Sequence, residues 1–206
     1  MVYPSIALRY FLVTLAVGGL ILLSGVSRAQ EVEVATVKFS NVRAPNGGAG
    51  TWLESEVTLI VKPLAGTPGQ MVSRVRIGVL FGFELPAISG ATRRLEHYRA
   101  EAECVALEPG RASIRFYLPP ELVKRDQLHG DPRYWAVELF VAGRPVPAVK
   151  AAYAVALASP EQRKNFQTRG AAAAAANDGI LLPQFLTPFV NDHPRATNAF
   201  VRHETR

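Results

Sequence analysis

Three pairs of carboxylates stand two residues apart, Glu31/Glu33, Glu54/Glu56 and Glu101/Glu103. Two acids on one face could share proton-transfer work, but an acid/base pair of the glycosidase kind comes from different strands that line a cleft. Strand alternation alone produces the same spacing. Asp126, His129 and Asp131, within "DQLHGD", are the best metal candidate in the chain. Zinc draws on three or four His or Cys ligands and calcium loops on a denser run of oxygens, so the segment reads as a polar turn. Cys104 has only His97 near it in sequence, His193 and His203 stand in the C-terminal tail, and no serine occupies a glycine-flanked elbow. "APNGGAG" lacks the lysine and following helix of a phosphate cradle. These residues assemble no catalytic constellation. The expectation is a protein that is not an enzyme, with no cofactor and no metal.

The elements that carry these groups read in steps of two from 31 to 158. "TWLESEVTLIV" turns Leu53, Val57, Leu59 and Val61 one way and Glu54, Glu56 and Thr58 the other. "VSRVRIGVLFGFEL" alternates Val75, Ile77, Val79, Phe81 and Phe83 with Arg74, Arg76 and Gly78. "RASIRFYL" sets Ala112, Ile114, Phe116 and Leu118 against Ser113, Arg115 and Tyr117. "RYWAVELFVAGRPVPAV" gives Trp135, Val137, Leu139 and Val141 one face and a hairpin turn at Ala142-Gly143. An opening strand in "EVEVATVKFSNV", another in "LEHYRAEAECVAL" and a closing one in "KAAYAVAL" bring the expectation to seven or eight strands. Turn clusters separate them, and the one helical interruption is "PPELVKRDQL". Short strands with frequent turns pair antiparallel, so the fold class is all-β, an antiparallel immunoglobulin-like sandwich, with a barrel as the alternative.

Residues 1–29 read as an export signal: Arg9, an uncharged apolar run from Phe11 to Val26, then the small residues Ser27 and Ala29. Cleavage after Ala29 would leave Gln30 first. The alternative is a retained inner-membrane tether, although the run is shorter than the roughly 20 residues a spanning helix needs. Arg9 and Arg28 leave with the signal, so the net charge falls from +6 to +4. Arginines interleaved with glutamates on strand faces form no basic patch, and no nucleic-acid partner is expected. Cys104, the single cysteine, can form no intramolecular disulfide and reads as a buried small hydrophobe.

After the sandwich, assigned to residues 30–158, the pattern changes. "SPEQRKNFQTR" opens with Ser159 as N-cap and Pro160 at the first helical position. Gly170 should weaken the helix and the alanine run 171–176 extend it, so 159–178 reads as a spacer anchored only at Phe166. In the tail, 179–206, "GILLPQFLTPFVNDHP" carries too much apolar surface for solvent, and Pro183 and Pro188 forbid a continuous helix. An extended segment is expected, with Ile180, Leu182, Phe185, Leu186, Phe189 and Val190 docking on a partner or on a second copy of the chain. The alternative is a tail folded back over its own domain to blunt an exposed edge.

The layout of signal, sandwich with "TWLESEVTL" and "RYWAVELFVAGRPVP", capped helix "SPEQRKNF" and Pro/aromatic tail resembles small exported bacterial immunoglobulin-like proteins encoded beside type IV pilus or type II secretion genes. That resemblance implies a non-enzymatic envelope protein, periplasmic or secreted, that binds other envelope proteins as an accessory of pilus or secretion machinery. Nothing in it looks like a pilin's N-terminal helix, so a filament subunit is not implied. The competing reading is a carbohydrate-binding module that stacks sugars on Trp52, Tyr117 or Tyr134.

Overall fold

The computed structural model describes residues 31–63, 69–86, 94–128, 130–192 and 198–201. The signal segment and its cleavage point, His129, His193 and His203 lie outside them. Among the described residues, eight strands form two antiparallel sheets. The first holds β1 (Val32–Arg43), β2 (Thr51–Val61), β5 (Gly110–Leu118) and β8 (Leu182–Pro183), ordered β1-β2-β5-β8. The second holds β4 (Arg94–Leu107), β3 (Val72–Leu85), β6 (Tyr134–Val141) and β7 (Arg144–Pro145), ordered β4-β3-β6-β7. This is a sandwich and not a barrel, because the two sheets stay separate.

Alternation sets the inner faces as the sequence predicts. Val57, Leu59, Ile77, Ile114 and Phe116 are fully buried between the sheets, with Tyr98 and Cys104 from β4. Trp135 is only half-buried, against Phe39 at 6.3 Å between ring centroids. The hairpin from β6 to β7 turns at Ala142 and Gly143, whose φ values of 49° and 77° are the left-handed pair that a type I′ turn requires. "KAAYAVAL" is not a strand. It makes a short 3₁₀ turn, Lys150–Ala152, and a single bridge from Tyr153 to Ala136. Proline at 145 and 147 removes backbone donors just before it, which shortens the pairing. Eight strands are reached through β7 and β8 instead.

Between β5 and β6, "PPELVKRDQL" forms α1 (Pro120–Arg125), which buries Leu122 and Val123. After the sandwich, α2 (Pro160–Asn165) begins with a reciprocal capping box: Gln162 N–H donates to Ser159 Oγ, and the Ser159 N–H donates to Gln162 Oε1. It runs through a π turn, Phe166–Gly170, into α3 (Ala171–Ala174). This helix is not a spacer, since it lies on the outer face of the second sheet. Phe166 packs with Leu80, Ala136, Leu157 and Ala174. A Cβ at Gly170 would come within 3.0 Å of Leu80 and 3.1 Å of His97. The glycine expected to weaken the helix is therefore what lets it settle on the sheet.

Cys104 has no exposed surface, and burial, with Glu103 adding to it, pushes its thiol pKa up to about 12. A thiol so far above neutral pH carries almost no thiolate. Iodoacetamide should leave it unmodified in the native protein and alkylate it once denaturant is added, and the melting temperature should be the same with and without reductant. Intact mass and a thermal scan check both.

Candidate functional site

The tail settles where the expected partner-binding residues end up. It is not free. Leu182 and Pro183, as β8, pair with Tyr117 and Phe116 on the edge of β5. Beyond them two 3₁₀ turns, Gln184–Leu186 and Pro188–Asn191, carry the chain onto the outer face of the first sheet. There the Phe189 ring stacks on Tyr117 at 4.4 Å with 4° between planes and meets Trp52 edge-on at 5.6 Å. Gln184 is buried, and its Nε2 donates to the carbonyls of Phe189 and Asp192, which holds the turns in shape. Residues 199–201 return to the edge of β4: Val105 N–H donates to Ala199 O at 2.8 Å and Val201 N–H to Glu103 O at 2.7 Å. Phe185 and Phe200 touch where the two passes meet, at 5.0 Å. The tail thus closes the β4/β5 side of its own sandwich, the alternative that the sequence left open, and the extended form in search of a partner is corrected accordingly.

Of the six residues assigned to a partner, Phe189 is buried and Ile180 packs against the core. Val190 is exposed and does not line the cleft described next. Leu182, Phe185 and Leu186 instead line a cleft of about 1000 Å³ between the tail, the helix and the second sheet. Its walls differ in character. Leu181, Leu182, Pro183, Phe185 and Leu186 make one side apolar, and Leu186 is 59% exposed at the rim. The lining elsewhere carries Glu101, Glu103, Glu138 and Asp178 with Arg76 and Arg99, and Arg74, outside the lining, pairs with Glu103 at 2.7 Å. Arg99 clamps Asp178 with Nε–Oδ1 at 3.0 Å and Nη2–Oδ2 at 3.2 Å, holding that carboxyl below its usual range. Arg76 reaches Glu101 at 3.4 Å while its guanidinium lies 4.2 Å over the ring of Phe140. Gln167 of the π turn donates to Glu138 at 2.8 Å. In the floor, a Cβ on Gly78 would meet only Glu101 and Glu138 atoms at 3.9 Å, so the floor has room.

Other groups singled out in the sequence take structural roles. Asp126 is buried, accepts a bond from the Tyr98 hydroxyl at 3.0 Å and pairs with Arg125, which fastens α1 to β4. No group of three or more His, Cys, Asp or Glu side chains placed to hold a metal occurs among the described residues. Glu54 and Glu56 do not stand in open solvent: Arg115, itself 7% exposed, lies between them on the outer face of β5, and the Tyr117 hydroxyl donates to Glu54 at 2.7 Å. The alternation that turns Arg115 outward does not leave it in solvent, since Glu54 and Glu56 flank it and Phe189 stacks on Tyr117, two residues along the same face. The three aromatics considered for sugar stacking are likewise engaged, Trp52 and Tyr117 by Phe189 and Tyr134 by Phe166 at 5.9 Å.

Asp126 makes stability pH-dependent in a defined direction. The bonds from Arg125, and then that from Tyr98, outweigh burial and hold its carboxyl below the ordinary value. A folded-state pKa below the unfolded one contributes stability above the unfolded value, and that contribution disappears as pH falls through the folded value. The melting temperature should therefore drop below about pH 4. Asp126→Asn should melt lower at pH 7 and decline less steeply on acidification, as thermal scans from neutral pH downward would show.

No protein-family model matches this chain, and no curated protein matches it in sequence. Among solved structures, the chain is similar to a crystal structure from Akkermansia muciniphila, with a TM-score of 0.64 and 17% sequence identity over 84% of this chain and 94% of that one. What is shared is the sandwich. At that identity the likeness speaks for the fold alone, and it extends over nearly the whole of the other chain.

Proposed function

We propose that this chain is an exported, non-enzymatic envelope protein that binds other envelope proteins, as an accessory of pilus or secretion machinery. The observation that carries the reading is the two-sided cleft. An apolar wall beside a charged wall suits recognition of protein, where buried apolar contact supplies affinity and charge supplies selectivity. The pilus or secretion setting is supported by the layout of signal, sandwich, capped helix and tail. Cleavage after Ala29 would release the domain into the periplasm or beyond, and a retained signal would tether it to the inner membrane. Carbohydrate binding is the weaker reading, since it needs a bare aromatic platform and Phe189 occupies the one formed by Trp52 and Tyr117.

A photo-crosslinking amino acid placed at Leu186 in living cells tests this. The same probe at Val155, which is 93% exposed and outside the cleft lining, serves as the control. Discrete adducts with envelope proteins at 186 and none at 155 are expected, on a chain that begins at Gln30. Equal labelling at both sites, or none at 186, would overturn the binding reading.

A further inference from the structure

The helical run that follows the sandwich sits on the second sheet by complementary shape, and a histidine stands where the two meet. His97 of β4, Gly82 of β3 and Tyr134 of β6 form one cross-strand row. Phe166 lies over this row: a Cβ on Gly82 would come within 3.0 Å of its ring, whose centroid is 5.8 Å from that of His97. Gly170, one turn later, admits the imidazole in the same way, with His97 Cδ2 3.1 Å and Nε2 3.5 Å from where its Cβ would stand. Nδ1 of His97 is buried and has no hydrogen-bond partner among the described residues. At its far end the run is tied down by Asn177, which donates to His97 O at 2.9 Å and to Glu96 at 3.1 Å.

We propose that protonation of His97 unseats the helical run, residues 160–177, from the sheet as pH falls, and so removes the wall that Gln167 and Ala171 give the cleft. A neutral imidazole with its proton on Nε2 leaves only a lone pair at Nδ1, whereas an imidazolium carries an N–H on both nitrogens. Its Nδ1–H would be buried without an acceptor, a cost that unseating relieves by admitting water. The charged groups of the elements packed here are already engaged or exposed. On β4, Arg94 takes Glu96 at 2.8 Å and Arg99 takes Asp178. On β3, Glu84 takes Arg133 at 2.9 Å, and on β6, Glu138 accepts from Gln167. On the run itself Glu161, Lys164 and Arg169 are exposed, and Arg163 is spent on the carbonyls of Leu157 and Ala158. Burial outweighs Glu96, the group that favours the imidazolium, and holds the His97 pKa below its ordinary 6.5. A histidine whose folded pKa lies below its unfolded one contributes stability above the unfolded value, and loses it between the two as pH falls. The seat therefore weakens from about pH 6.5 downwards.

Hydrogen exchange of the full mature chain tests this, followed by mass spectrometry at about pH 7.5 and about pH 5 and corrected for the intrinsic pH dependence of amide exchange. The lower value stays above the range in which Asp126 acts. Peptides from 160–177 should lose protection several-fold at the lower pH, while those from β2 and β5 keep theirs. His97→Gln, which cannot gain a charge, should hold its protection across the two values. Where glutamine itself loosens the seat at neutral pH, His97→Leu supplies the apolar equivalent. An NMR titration of the imidazole in the unaltered chain needs no substitution and should show a midpoint below 6.5. Protection of 160–177 that ignores pH, the same loss in the His97 variants as in the unaltered chain, or an imidazole midpoint at or above 6.5 would each overturn the proposal. None of these readouts depends on the chain having a partner.

Discussion

Removing residues 179–206 is expected to abolish the cooperative unfolding transition of the domain. The segment supplies β8 on the edge of β5, the two bonds at the edge of β4, and the buried side chains Leu181 and Phe189, 2% and 3% exposed. Truncating one such side chain to alanine costs about 2 to 5 kcal/mol. A domain of this size has only about 5 to 15 kcal/mol in total. Losing both side chains also uncovers Trp52 and Tyr117 and opens two strand edges to pairing with other chains. Circular dichroism should show no sharp melt, and size-exclusion chromatography should show aggregates. A truncated domain with an unchanged melting temperature would show that the strap is peripheral. Phe189→Ala is the milder form of the experiment, because the chain remains and only the stack on Tyr117 is lost.

Phe116→Ala should cost about 3 to 5 kcal/mol. The ring has no exposed surface, stands centrally on β5 between β2 and β8, and faces the opposite sheet. The side chain of Glu101 is 63% exposed in its ion pair, and Glu101→Ala should change stability by no more than about 0.5 kcal/mol. Chemical denaturation of both variants checks the contrast. Equal costs would mean that the inner and outer faces had been exchanged by a one-residue slip. Trp135→Ala should cost less than Phe116→Ala, since the indole is half-buried at the end of its strand.

The sandwich was legible in the sequence because a strand buried on one face must alternate, and β2, β3, β5 and β6 each do so over several residues. The helix start at Ser159 was legible for an equally local reason, a capping side chain followed by proline. Partners distant in sequence were not. The close approach of Gly170 to Leu80 and His97 depends on where the helix lands, which no spacing around 170 encodes. Arg115 alternates like a solvent-facing residue yet is 7% exposed, flanked by Glu54 and Glu56 of β2, with the tail's Phe189 stacked on Tyr117 two residues along the same face. The tail's apolar composition determined that it would be buried somewhere, since solvating that much hydrocarbon is unfavourable. Only the tertiary structure decided that it is buried on its own domain. A short segment has few backbone groups to satisfy by itself, so it takes whichever unpaired strand edge is within reach, and here β5 and β4 both present one.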